Sequence, residues 1–160
     1  MAFRMDVTGM GELLKKMDQL GEKAADAAAV ALYEGAGVMA DAVSQSVHGI
    51  DTEPFRYATD GRRRKPSPEE KAVLESARIG VAKFRKTPTN VNTSVGMQNS
   101  GYGNLAGKTV PVPLIANAIN SGTSFMQKQP FFRKATSRYG AAQTAIENKL
   151  REELDKLSAD

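Results

Sequence analysis

The sequence predicts an α+β protein: a small antiparallel β-sheet built on a central hairpin, flanked by a long N-terminal helix and a long C-terminal amphipathic helix. Three observations carry this. An alanine-rich stretch from about Glu22 to Val47 repeats Ala25, Ala29, Leu32, Ala36, Met39, Val43 and Val47 at the spacing of 3.6 residues per turn. Residues 91–97 alternate, with Val91, Thr93, Val95 and Met97 on one face, after a turn at Thr87-Pro88-Thr89-Asn90. From Pro130 to about Leu157 the stripe Phe132, Ala135, Tyr139, Ala142, Ile146, Leu150, Leu154, Leu157 faces away from a strongly charged side.

The chain has 160 residues, which predicts one domain spanning residues 1–160 and a core large enough to bury roughly 70% of the unfolded surface. It has no cysteine and one histidine, His48, so disulfides, thiolate metal sites and histidine pairs are excluded. No run reaches the ~18 apolar residues of a membrane span, and the N-terminus lacks the apolar core of a signal peptide. The expectation is a protein made and used on the cytoplasmic side, with no membrane partner. The net charge is +4 and the isoelectric point about 9.4.

Taken in order, residues 1–8 read as a short strand or arm. From Gly11 the pattern turns helical, with Leu13, Met17 and Leu20 on one face. In the long helix that follows, Gly35 and Gly37 each cost about 1 kcal/mol relative to alanine. With Ala29 and Ala36 they make a smooth face that suits close approach of another helix, from the same chain or another subunit. His48-Gly49 ends the helix, where a protonated His48 is favourable to the macrodipole. Residues 50–68 read as a long loop. Ser67-Pro68-Glu69-Glu70 then signals a helix start, with an N-cap, proline at the first position and acids in the first turn. A short helix over 68–76 follows. Residues 77–86 form the first arm of the hairpin, with Ile79 and Val81 on one face; a helix continuing through 85 is the alternative.

Residues 98–111 read as a second irregular stretch. Gly107-Lys108-Thr109 copies the end of a phosphate-binding P-loop, but Tyr102 stands where that motif needs its first glycine. No helix start follows directly, as phosphate binding would require. Next, Leu114, Ile115, Ala118 and Ile119 suggest a short helix with one buried face. Asn120-Ser121-Gly122-Thr123 stops it, Gly122 being placed for a left-handed cap. Pro130 suits the first turn of a new helix, and Phe131 and Phe132 pin that helix to the core.

One compact basic cluster stands out: Arg62, Arg63, Arg64 and Lys65. Such a cluster can contact phosphate, or simply be a solvated loop. No aromatic residue is interleaved with it to stack bases. Nothing in the sequence points to an enzyme, a cofactor or a metal site. Adjacent carboxylates at Glu69-Glu70 and Glu152-Glu153 diverge by about 100° on a helix.

The blocks Ala116-Asn117, Gly122-Thr123 and Pro130-Phe131-Phe132-Arg133 with Ala135, preceded by Ile79 to Arg85 and Ser94-Val95-Gly96, follow one another in a characteristic order. In that order the chain resembles the tail-completion, or head–tail joining, proteins of long-tailed bacteriophages. Members of that family show a hairpin ending in Val-Gly, then an "ANxxEFGT" block, then "PFLRPA" opening a C-terminal helix. Here Asn120-Ser121 replaces the acidic–aromatic pair, and Lys134 replaces a proline. The resemblance implies a structural virion protein of the neck, assembled in the host cytoplasm. It implies a homo-oligomeric ring, commonly a hexamer, between the tail tube protein and the head–tail connector, with passing contact to DNA in the lumen. Gly35, Gly37, Gly122, Thr123, Phe125, Met126, Phe131 and Phe132 are the candidate contacts between subunits or partners. Arg62, Arg63, Arg64 and Lys65 would face DNA or an acidic neighbour. The alternative is a small basic nucleic-acid-binding protein using the same cluster with Arg4, Lys83, Arg85 and Lys86.

Overall fold

The computed structural model describes residues 2–6, 21–54, 62–87, 90–97 and 101–159. The predicted helical face of Leu13, Met17 and Leu20 lies outside them. The fold is α+β. In chain order it comprises β1 (Ala2–Asp6), α1 (Glu22–His48), α2 (Pro68–Ser76), β2 (Ile79–Val81), β3 (Arg85–Thr87), β4 (Asn90–Met97), β5 (Tyr102–Leu105), β6 (Lys108–Pro111), α3 (Val112–Ser121), α4 (Phe131–Ala135) and, after a 3₁₀ turn at Thr136–Arg138, α5 (Tyr139–Ser158). The first sheet has the order β1-β4-β2, with β3 also pairing β4, and the second is the hairpin β5-β6. The chain divides into two compact units, each assembled from separated segments.

One unit draws on Ala2–Ala40, Val81–Val95 and Arg138–Asp160. Its buried side chains on α1 are mostly alanines (Ala24, Ala27, Ala28, Ala29, Ala31, Ala36) together with Leu32 and Met39, and on α5 they are Ala142, Ile146, Leu150 and Leu154. Small residues let the helices approach. At Gly35 the approach is complete, because a Cβ there would run into the Ile146 side chain and stand 3.1 Å from the Ala142 carbonyl oxygen. Of the expected α1 stripe, Ala29, Leu32, Ala36, Met39, Val43 and Val47 are buried and Ala25 is half-buried. Ala24, Ala27, Ala28 and Ala31 are buried beside it, so the buried face is wider than one stripe. In the sheet, β3 pairs β4 antiparallel with Arg85 opposite Asn92 and Thr87 opposite Asn90. The central hairpin therefore forms, and β4 turns Val91, Thr93, Val95 and Met97 inward. The first arm is not one strand: Ala82–Phe84 interrupt it. There Thr93 Oγ1 donates to the Ala82 carbonyl at 2.7 Å, and Phe84 leaves the ladder to meet Tyr33, ring centroids 6.4 Å apart.

The other unit draws on Asp41–Gly80 and Gly96–Ser137. Its core contains Val43, Val47, Val73, Leu74, Val112, Ile115, Ile119, Met126, Phe131 and Phe132. Helix α2 begins as its sequence requires, with the Ser67 side chain accepting from the Glu70 amide and the Glu70 side chain accepting from the Ser67 amide. Helix α3 starts two residues before Leu114. Its buried face is Val112, Ile115, Ala116 and Ile119, the i, i+3, i+4, i+7 pattern, and Leu114 is 62% exposed. The stretch expected to be irregular at 98–111 contains the hairpin β5-β6, with Tyr102 opposite Pro111 and Leu105 opposite Lys108. Its two central turn residues, Ala106 and Gly107, have φ of 53° and 77°, the condition for a type I′ turn. Residues 98–100 lie outside the described part.

The C-terminal helix is also not continuous from Pro130. Thr136 Oγ1 donates to the Arg133 carbonyl at 2.6 Å and Ser137 Oγ to the Lys134 carbonyl at 2.9 Å. Such side-chain bonds compete with the helical ladder and coincide with the 3₁₀ turn. Tyr139, beyond it, is 43% exposed rather than part of the buried stripe. Among the described residues no helix is long and apolar enough to cross a membrane.

Candidate interaction surface

The segment from Asn120 to Phe132 is a tight excursion between α3 and α4. Gly122 caps α3 at φ 76° and ψ 169°. Its φ is positive, as the sequence suggests, but the ψ is extended, a combination open essentially to glycine. A Cβ here would also stand 3.1 Å from the Lys128 backbone nitrogen. Thr123 closes the turn: its Oγ1 accepts from the Met126 amide at 3.0 Å, and its own amide donates to the Met126 carbonyl at 3.1 Å. Asn120 Oδ1 accepts from the Phe132 amide at 3.2 Å, holding the two ends of the excursion together.

The basic loop is built onto this excursion. Arg64 and Met126 form a parallel bridge, with the Arg64 amide donating to the Phe125 carbonyl at 2.9 Å and the Gln127 amide to the Arg64 carbonyl at 2.8 Å. Gln127 Nε2 donates to the Arg63 carbonyl at 2.8 Å. Gln129 receives the Asp51 amide on Oε1 at 2.9 Å and returns Nε2 to the Asp51 carbonyl. Two glutamines therefore replace a strand ladder. No sequence signal marks them for this role.

Arg64 and Lys65 are committed internally. The Arg64 guanidinium makes two 2.7 Å bonds to Glu70, and it lies 5.9 Å from the centroid of the Phe125 ring. Hydrogen bonding to Glu70 raises the Arg64 pKa above its usual value. Burial pushes the Glu70 carboxyl up, but donation from Arg64 and from the Ser67 amide outweighs it and leaves the pKa below the ordinary glutamate range. Lys65 Nζ sits 2.6 Å from Asp51; that bond lowers the Asp51 pKa and raises that of Lys65. The Lys65 amide donates to Glu53 at 2.6 Å. Arg62 and Arg63 are exposed.

The remaining sequence-derived candidates fall into distinct places. Phe131 and Phe132 are buried, with ring centroids 4.9 Å apart, and Met126 is buried beneath the bridge. These three present no free surface. Thr123 and Gly122 are half-buried and shape the turn, and Phe125 at its tip is 60% exposed. Gly35 is enclosed against α5, whereas Gly37 faces open space, on the side of α1 that carries the exposed Val30 and Tyr33. Two further exposed apolar residues were not signalled by the sequence: Tyr102, 70% exposed and opposite Pro111 across the β5-β6 ladder, and Leu114 in the first turn of α3. Among the described residues no group of histidine, aspartate and glutamate side chains is placed to hold a metal ion. Compared with known protein families, curated proteins and solved structures, the chain matches none.

Proposed function

We propose that this chain is a structural virion protein that completes a phage tail and joins it to the head connector, as a ring of about six copies. The observation that carries the reading is the order of blocks from the hairpin through Ala116-Asn117 and Gly122-Thr123 to Pro130-Phe131-Phe132. The fold gives these blocks structural work that supports it: Gly122 and Thr123 form a turn few other residues would allow, and Phe131 anchors the helix that follows. A ring needs heterologous contacts, in which two different patches of one subunit meet. Each compact unit carries an exposed apolar patch of its own, Tyr102 with Pro111 and Leu114 in one, and Val30 with Tyr33 beside the open Gly37 in the other. In this reading these are the two halves of the subunit contact.

The test is the mass of the purified protein by light scattering over a concentration series, alone and with a tail tube protein. A closed oligomer near six subunits, free or on the tube, is the expected result. A strict monomer at every concentration that also ignores the tube protein overturns the reading.

A further inference from the structure

The fold brings an exposed aromatic ring to the basic cluster, which in the sequence has none. At the Arg64–Met126 bridge the inward residues are known: Met126 is 2% exposed and the Arg64 side chain 11%. The Arg64 amide donates to the Phe125 carbonyl and the Gln127 side chain to the Arg63 carbonyl, so Arg63, Phe125 and Gln127 adjoin the bridge, and all three are exposed. Phe125 and Arg63 are therefore both exposed residues at this one bridge. The Arg64 guanidinium lies over one side of the ring and is itself fixed by Glu70. The ring is therefore held in place while remaining 60% exposed.

The surroundings of that ring decide which partner it fits. An aromatic anchor for a protein pocket is normally ringed by apolar contacts that exclude water. Here the neighbours along both segments, Arg63, Ser124, Gln127 and Lys128, are polar and exposed. A flat, fixed ring set among cations matches the way unpaired bases are held, with stacking on the ring and phosphates on nearby arginines and lysines. We propose that the Arg63–Phe125 face binds single-stranded nucleic acid, one base stacking on Phe125 and the flanking phosphates meeting Arg63 and its cationic neighbours. The contact is a property of one chain and does not depend on the joining role or on ring formation.

The experiment is a fluorescence-anisotropy titration of the full chain with a labelled oligothymidylate of about 16 nucleotides, at several salt concentrations. The expected result is affinity that falls steeply with salt, with a log–log slope of about −2 for three phosphate contacts. Phe125→Leu keeps apolar bulk and removes the stacking face, and it weakens binding about tenfold, as does Phe125→Ala. Arg63→Gln weakens binding and makes the salt slope shallower by roughly 0.7. A duplex of the same length and polyglutamate both bind more weakly than the single strand. Circular dichroism of each variant confirms that it is folded, which exposure at both positions favours. The proposal is overturned by absence of binding at low salt, or by Phe125→Leu binding like the wild type. Equal affinity for the duplex or polyglutamate also overturns it, since either would make this a general polyanion or acidic-protein surface.

Discussion

Arg64 grips Glu70 through two guanidinium nitrogens, each 2.7 Å from a carboxylate oxygen, while the same carboxylate accepts the Ser67 amide at 2.7 Å. One side chain thus caps α2 and anchors the basic loop. Both partners are nearly buried, at 11% and 8% side-chain exposure, so removing one strands the other. Glu70→Ala is expected to cost about 2–3 kcal/mol, because hydrogen bonds to charged groups carry 1.5–3 kcal/mol and the orphaned guanidinium adds its own penalty. Glu70→Gln keeps a capping acceptor and is expected to cost less. Urea denaturation of the two variants checks this. If Glu70→Ala unfolds at the wild-type midpoint, the pair does not hold the loop.

The same carboxylate sets a pH dependence. Its pKa in the folded chain lies below the ordinary glutamate value, so the unfolded state takes up a proton first as pH falls. The stabilisation from Glu70 is therefore fully present above about pH 4.3 and is lost as the pH falls through the lower folded value. Wild type is expected to lose stability across that acid range, and Glu70→Gln to lose less. Exposed Asp51 and Glu152 and half-buried Glu153 are also held low by lysines, so some acid sensitivity persists in the variant. Thermal melts from pH 6 to about pH 3 make the comparison, and parallel curves for the two proteins would remove Glu70 as the cause.

The elements fixed by local chemistry were legible in the sequence. Ser67-Pro68-Glu69-Glu70 marks the start of α2 to the residue, and the alternation of Val91, Thr93, Val95 and Met97 marks the inward face of β4. What failed was set by competition or by distance. Tyr139 and Leu114 fit apolar patterns, yet both are exposed: hydroxyls at Thr136 and Ser137 break the C-terminal helix before Tyr139, and Pro111 and Val112 start α3 early enough to turn Leu114 outward. The hairpin β5-β6 was hidden because Ala106-Gly107 is not the Asn-Gly pair that announces a type I′ turn. The union of Arg64 with Phe125 rests on a bridge between segments far apart in the chain, and no local pattern encodes it.

Gly35 and Gly37 look alike in the sequence and are expected to respond oppositely. Gly35→Ala places a methyl group against Ile146 and the Ala142 carbonyl, and overpacking of this kind costs about 1–3 kcal/mol. Gly37 meets nothing within 4 Å, so Gly37→Ala gains up to about 1 kcal/mol of helix propensity. Melting temperatures of the two variants decide the matter. A fall for both would place a packing partner over Gly37 within the chain. If Gly37 with Val30 and Tyr33 forms a subunit contact, Gly37→Leu is expected to abolish the oligomer without lowering monomer stability.

The turn at Ala106-Gly107 offers the last test, because it links backbone strain to the exposed Tyr102 patch. Ala106 holds φ 53°, a left-handed conformation that costs a residue with a Cβ about 1–2 kcal/mol, and the β5-β6 ladder pays that cost. Asparagine tolerates this conformation and suits the type I′ turn. Ala106→Asn is therefore expected to raise stability by up to about 1 kcal/mol. Gly107→Ala imposes the same strain at φ 77° and is expected to cost about 1–2 kcal/mol. The opposite face of the hairpin is tied down at Gly103, where a Cβ would collide with the Val73 side chain, so loosening the turn should loosen Tyr102 and Pro111 together. Hydrogen exchange at Gly103 and Asn104 would report this directly, with faster exchange in Gly107→Ala and slower in Ala106→Asn. If the Tyr102 patch is one half of the ring contact, Gly107→Ala will lose the oligomer under conditions where the monomer remains folded. Unchanged assembly alongside faster exchange would move the subunit contact away from this hairpin.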